Sequence, residues 1–232
     1  LLCDNSMECV VKNSDVVFIT VYDSVIQGVA DTIAHTVSRE YIRDKTFFHC
    51  SGALTSGALE SLAKTGAHTA SLHPIQTFAD REKGYTGLEG IYFGFEGCDT
   101  AKEKAQVIVD TFNGEVLTIQ KEGKPLYHAA ASIFSNYMVT LAYVAGEIYE
   151  KIGIDSEKGI SALSPLINKT LENIQEVGSV GALTGPISRG DTKTIADHID
   201  SINKTIPEIE DVYRCMGKTT IEVALKKGGI NT

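Results

Sequence analysis

Short runs of β-branched and aromatic residues alternate with amphipathic stretches from Asp15 to about Ile119, and after Gly123 no further strand signal appears. Such alternation builds parallel strands joined by covering helices, whereas an unbroken helical remainder must bury its apolar stripes in a layer of its own. The pattern predicts an α/β domain with a largely parallel sheet over residues 1–123, followed by an all-α domain over 124–232. Strands are expected at Asp15–Val21, Thr46–Cys50, His68–Leu72, Ile91–Phe95 and Val116–Ile119. Between them Val25, Val29, Ile33 and Val37 recur at helical spacing, as do Ala101, Ala105, Ile108 and Phe112 before an Asn113-Gly114 stop. Helices are expected over Pro125–Lys151, Ser156–Val177, Thr192–Ile202 and Pro207–Lys226. Pro125 suits a first helical turn, and Thr205-Ile206-Pro207-Glu208 has the spacing of a capping box.

At 232 residues and 43% hydrophobic content the chain can bury a substantial core, as one large or two modest domains. Thirty acidic against 21 basic residues leave a net charge of −9, which argues against nucleic acid as a partner. Five cysteines, an odd number without Cys-x-x-Cys spacing, point to reduced thiols and to no metal site. The opening Leu1-Leu2-Cys3-Asp4 has no initiator methionine and no signal-peptide pattern, so the chain reads as starting within a domain. Tyr127 to Gly146 carries no charge and approaches membrane-spanning length. His128, Ser132, Ser135, Asn136 and three tyrosines would be costly in hydrocarbon, so no membrane span is expected.

Ligands of open α/β sheets sit beyond the carboxyl ends of the strands. Two turns fall there, Tyr22-Asp23-Ser24 and Ser51-Gly52-Ala53; Gly52 permits close backbone approach, and Ser51 could bond a cofactor or substrate, or simply close the turn. His73 follows a strand, where an imidazole can move protons, whereas His49 lies within one and reads as a packed core residue. On the helix from Pro125, Leu126, Ala130, Ile133, Tyr137, Leu141, Val144 and Ile148 form an apolar stripe expected to face the core. The opposite face carries His128, Ser132 and Ser135 with Asn136 close by; lacking charge, it reads either as the lining of a crevice or as a helix–helix contact. Arg189 sits on a glycine-flanked turn from which a guanidinium could grip an anion. Asp191 reads as a helix N-cap, and His198 as a surface or packing residue.

Three strand segments carry a resemblance: Asp15-Val16-Val17-Phe18-Ile19-Thr20-Val21, His49-Cys50-Ser51-Gly52-Ala53-Leu54 and Ser71-Leu72-His73-Pro74. His128-Ala129-Ala130-Ala131, Ser135-Asn136-Tyr137 and Gly185-Pro186-Ile187-Ser188-Arg189-Gly190-Asp191 complete it. Together, in this order, they resemble the bacterial Rossmann-like NADP oxidoreductases whose helical second half is a domain of unknown function. That family is related in fold to pyrroline-5-carboxylate reductase, ketopantoate reductase and the β-hydroxyacid dehydrogenases. The resemblance implies a nicotinamide cofactor, NADP, and a helical, often dimerising, second domain. It also implies that Val21 and Tyr22 lie along the cofactor, Ser51 and Gly52 near its nicotinamide, and His73, His128, Asn136 and Arg189 around a substrate pocket.

Two departures stand out. Val21-Tyr22-Asp23 lacks the proline common at its middle position, and no stretch supplies the glycine-rich turn on which a pyrophosphate rests. The pairs Gly84/Gly87 and Gly94/Gly97 lack its spacing, so the turn is expected upstream of Leu1, the Rossmann-like sheet here lacking its N-terminal part; the alternative is a protein that does not bind a dinucleotide in the usual way. The expected function is an NADP-dependent oxidoreductase moving hydride to or from a small carbonyl, imine or hydroxy-acid substrate, in a cytoplasmic homodimer. His128 or His73 would transfer the proton, Asn136 orient the substrate and Arg189 bind its anion. The rival is a nucleotide-sensing or assembly protein that keeps the fold without turnover; a deazaflavin-linked reductase is a third reading.

Overall fold

The computed structural model describes residues 6–78 and 87–230, so Leu1-Leu2-Cys3-Asp4, and Gly84 with Tyr85 and Thr86, lie outside the described residues. The chain divides into two compact units, Leu1–Ser135 and Asn136–Thr232.

The first unit is built on strands β1 Val16–Ile19, β2 Thr46–His49, β3 His68–Pro74, β4 Tyr92–Gly97 and β5 Glu115–Thr118. They lie side by side in chain order. β1, β2 and β3 pair parallel, as do β4 and β5, but β3 and β4 meet antiparallel. The five expected strands are all present, while β3 runs two residues beyond its expected end, so that His73 is within the strand and pairs with Gly94.

Because successive side chains of a strand point to opposite faces, the register sorts the core in two. On one face Val17, Ile19 and Phe47 pack with helices α2, Asp23–Thr36, and α4, Glu60–Thr65. On the other Phe48, Ala70, Leu72, Phe93 and Phe95 pack with α5, Asp99–Asp110. α2 buries Ile26, Ala30 and Ile33, one residue offset from the expected Val25 and Val29. Periodicity located that helix without deciding which of two adjoining stripes turned inward. Two short helices, α1 at Met7–Lys12 and α3 at Arg39–Ile42, lead into β1 and β2.

After β5 comes α6, Lys124–Lys151, whose opening turns belong to the first unit. The second unit continues with α7 Ser156–Ala182, α8 Thr192–Thr205 and α9 Glu210–Lys227. α7 is broken at Gly178 (φ 74, ψ 165), next to the expected helix end at Val177. Asp191 caps α8 as expected, its carboxylate accepting from the Thr194 N–H at 3.1 Å and the Thr194 hydroxyl at 2.7 Å. The expected capping box at Thr205 does not form. Thr205 is still the last residue of α8, so its hydroxyl is not at a cap position, and Pro207 opens a 3-10 turn in its place. Val144, Ile148 and Tyr213 pack against Ile202, Ile206 and Ile209.

The expected core stripe of α6 is corrected. Leu126 is 78% exposed and Ile133 and Tyr137 are 59% exposed, leaving only Val144 and Ile148 of that stripe packed in a cluster. The polar side of the helix start is the one that docks on the sheet. Periodicity reveals that a face is apolar; it does not reveal what covers it. By length and composition α6 is the one helix among the described residues that could cross a bilayer.

Phe47 lies at the centre of the first core with no exposed surface. Phe47→Ala is expected to cost about 3–5 kcal/mol through lost burial and the cavity left behind, read as a lowered denaturant midpoint in urea unfolding.

Candidate functional site

The register of β2, β3 and β4 places His49, Ser71 and Glu96 in one row, with His73 and Gly94 in the row two residues on. All five share the face that carries Phe47. A polar strip therefore runs across this face from the end of β2 to β4, and each buried member of its first row has partners. The Ser51 N–H donates to His49 Nδ1 at 3.2 Å, and His49 Nε2 meets the Thr55 carbonyl at 3.0 Å. Those bonds fix the ring proton on Nε2, and burial lowers the His49 pKa, with Lys124 adding to the effect. The Glu96 carboxylate accepts from Ser56, at 2.5 Å from its N–H and 2.8 Å from its hydroxyl.

After β2 the chain turns through Ser51-Gly52. The Ser51 hydroxyl donates to Asp23 Oδ2 at 2.6 Å and accepts from the N–H groups of Ala53 and Leu54, at 3.2 and 2.9 Å. The serine thus closes its own turn and ties it to the first turn of α2. Burial pushes the thiol of Cys50, just before it, up to about 11, which disfavours the reactive thiolate.

Lys124, at the start of α6, has no exposed surface. Its ammonium donates to the Ser51 carbonyl at 3.0 Å and to Ser71 Oγ at 2.7 Å, and it lies 5.7 Å from the centroid of the Tyr127 ring. Ser71 in turn donates to the same carbonyl at 2.9 Å. Burial lowers the Lys124 pKa to about 8, although Glu96 and Asp23 pull it up.

Residues three and four positions on share this face of the helix. Tyr127 reaches back to β3 and β4, where its hydroxyl lies 2.7 Å from His73 Nδ1. It occupies the space above Gly94, where any Cβ would collide with the phenol oxygen. His128 packs beside Gly52: a Cβ there would lie 2.5 Å from His128 Cδ2 and 3.0 Å from both Cε1 and Nε2 of His73. The two imidazoles meet edge to face with centroids 6.2 Å apart. Glycine at position 52 is thus what lets both rings close on the turn. Burial lowers the His73 pKa to about 4, helped by Lys124 and His128 and opposed by Asp23.

Of the residues singled out in the sequence, Ser51, Gly52, His73 and His128 come together in the first unit. Val21 and Tyr22 stand exposed where β1 runs into α2, whose start has no side-chain cap. Asn136 and Arg189 belong to the second unit, Asn136 on α6 and Arg189 exposed on a 3-10 turn. The sequence reading missed Lys124, Tyr127, Gly94 and Glu96. The signal for two of them was present, since Lys124, Tyr127 and His128 have the i, i+3, i+4 spacing of one helix face.

Lys124 gives the site a pH signature. Its pKa is about 8 in the fold against an ordinary 10.5, so the folded state binds fewer protons between those values and stability rises with pH there. Tyr127, raised by burial from 10 to about 12, opposes this only above pH 10. Urea unfolding at pH 7.5 and 9.5 should show the native chain gaining stability across the interval relative to Lys124→Met, which lacks the titrating group. Parallel behaviour of the two proteins would refute a buried ammonium.

A family model described as a domain of unknown function, DUF2520, matches residues 91–220. No curated protein matches the chain. Among solved structures, protein TM1727 from Thermotoga maritima is 30% identical, with 90% of this chain and 78% of that one covered and a TM-score of 0.74. A provisionally assigned NADP oxidoreductase from Bacteroides fragilis is 19% identical over 91% of this chain and 78% of its own, with a TM-score of 0.72. The Plasmodium falciparum pyrroline carboxylate reductase, solved with NADP bound, is 15% identical over 97% and 80%, with a TM-score of 0.61. The last two likenesses are likenesses of fold. A Rossmann-like α/β unit followed by a helical unit is therefore the architecture of this chain, and it belongs to the DUF2520 family.

Proposed function

We propose that this chain serves a nicotinamide-dependent oxidoreductase, using NADP, that acts on a small carbonyl, imine or hydroxy-acid substrate. The observation that carries the reading is the pair of imidazoles closed on Gly52 at the carboxyl ends of β2 and β3, the edge where ligands of such sheets bind. Exposed Val21 and Tyr22, beside a helix start whose first N–H groups have no side-chain cap, fit the ribose and nicotinamide end of the cofactor. When bound, that cofactor supplies the hydride. The fold neighbours that carry an NADP oxidoreductase, pyrroline carboxylate reductase or imine reductase name support the same class.

The chain's own residues divide the remaining work. His128 has no hydrogen-bond partner among the described residues, which leaves its ring nitrogens free to exchange a proton with the substrate heteroatom. His73 stays uncharged at neutral pH and suits hydrogen bonding to the ligand. Ser51 and Lys124 hold the turn and the helix start in register. Asn136 and Arg189 are candidates for orienting the substrate and binding an anionic group on it.

Titration of NADPH and NADH into the full-length protein, followed by a screen of small keto acids and imines for cofactor oxidation, tests the reading. NADPH is expected to bind the more tightly. His128→Ala should lower kcat about 100-fold or more, the usual scale of a lost proton-transfer group. Tight binding without turnover, unaltered by His128→Ala, would leave a nucleotide-sensing protein instead.

The same protein is proposed to act as a homodimer. Val139, Tyr143, Leu166 and Val177 on α6 and α7 are more than half exposed, a larger apolar display than a lone helical unit normally leaves in water. Sedimentation should give twice the chain mass; a monomer at micromolar concentration, or recovery of the protein with membranes, would overturn the assignment to a second copy.

A further inference from the structure

The hydrogen bond between Tyr127 and His73 has a direction, and the direction determines what His73 can do. The phenol carries one proton, and His73 Nδ1 is its only hydrogen-bond partner among the described residues. The nearby Lys124 ammonium can only donate, and two of its protons are held by the Ser51 carbonyl and Ser71 Oγ. If Nδ1–H donated to Tyr127, the half-buried phenol proton would have no acceptor among the described residues, an arrangement that costs free energy. Tyr127 therefore donates to Nδ1, and a neutral ring accepting at Nδ1 carries its proton on Nε2. Nε2 has no hydrogen-bond partner among the described residues, and it faces Gly52 beside His128.

We propose that Tyr127 is a positioning residue that holds His73 as its Nε2–H tautomer, so that the ring presents a hydrogen-bond donor beside Gly52 to an uncharged oxygen acceptor, a carbonyl or carboxamide. The inference rests on the oxidoreductase reading for its ligand class, and on geometry alone for the tautomer. It separates the two imidazoles: His73 polarises an oxygen without giving up its proton, and His128 does the proton transfer. The groups that face His73 on balance favour this, Asp23 alone opposing it. Lys124, Tyr127 and His128 come from α6 and Asp23 from α2, and burial with the Lys124 charge keeps a second proton off the ring down to about pH 4. Gly94 completes the device, because only a residue without Cβ leaves room for the phenol above β4.

Nuclear magnetic resonance of ring-15N histidine in the intact, ligand-free protein at pH 7 reads the tautomer directly, with the His73 signals identified by their loss in His73→Gln. The expected result is a proton on Nε2 and an acceptor-type resonance at Nδ1, which moves in Tyr127→Phe as its donor is lost. A proton on Nδ1 in the native protein overturns the proposal. So does an Nδ1 resonance left in place by Tyr127→Phe. Should that variant fail to fold, the native spectrum still decides the tautomer. Since the measurement needs neither cofactor nor substrate, failure of the oxidoreductase reading would leave its outcome standing, and the reverse also holds.

Discussion

A fully buried ammonium must find oxygen atoms or lose its proton, and the position of Lys124 is the constraint on which the rest of the site depends. Its two hydrogen bonds reach the Ser51 carbonyl on the turn after β2 and Ser71 Oγ within β3. They pin the start of α6 against two neighbouring strands at once. A helix pinned at its first residue presents the next residues of the same face at fixed places, which puts Tyr127 over Gly94 and His128 over Gly52. Were the helix to slip by a single residue, the ammonium would lose its acceptors while remaining inside the protein. The large penalty for that state is what makes the register of α6 definite.

The sheet accommodates the cation by treating its two faces differently. Under α5 the face is a continuous apolar layer built by Phe48, Leu72, Phe93 and Phe95. The other face is apolar over β1 and at Phe47 of β2, where α2 and α4 cover it, and becomes polar at His49 and across β3 and β4. Glu96 and Asp23 both favour the charged form of Lys124 through space, while their hydrogen bonds go to Ser56 and Ser51. The charges thus compensate one another at a distance, and the short contacts serve the backbone turns. This division explains why the polar strip can be rigid without being a chain of direct ion pairs.

The sequence made the fold legible because its signals were local. Alternating residues in five short segments fixed the strands to within a few positions, and the loss of that alternation after Gly123 marked the onset of helices. Asp191 was readable as a cap because a cap is a contact with residues three positions away. The antiparallel meeting of β3 and β4 was not readable, since strand direction depends on the path of the intervening chain. Gly52 and the two histidines could be proposed from strand ends and helix faces. The burial of Lys124 is not legible from the sequence, because a lysine at a helix start reads as solvated until the strands beneath it are known. The apolar stripe of α6 misleads for the converse reason: apolar character does not by itself mean burial, and the polar side has the hydrogen-bond partners.

Satisfaction of hydrogen bonds then separates scaffold from chemistry. His49, Ser51, Ser71 and Glu96 are polar and nearly or fully buried, which would make each a tempting catalytic group, yet each makes hydrogen bonds that close a turn or join strands. A group already engaged on its polar atoms has little left to offer a ligand. His73 Nε2 and the His128 ring are different, because they border the same notch at Gly52 and none of those nitrogens has a partner among the described residues. The energetic logic favours this arrangement. Engaged neighbours cannot rotate to quench the free nitrogens, and burial together with the Lys124 charge keeps protons from accumulating on His73. A site with free nitrogens on two imidazoles, His73 being held through its Nδ1 by Tyr127, set in a hydrogen-bonded frame is preorganised: no bond within the fold has to break for a ligand to bind.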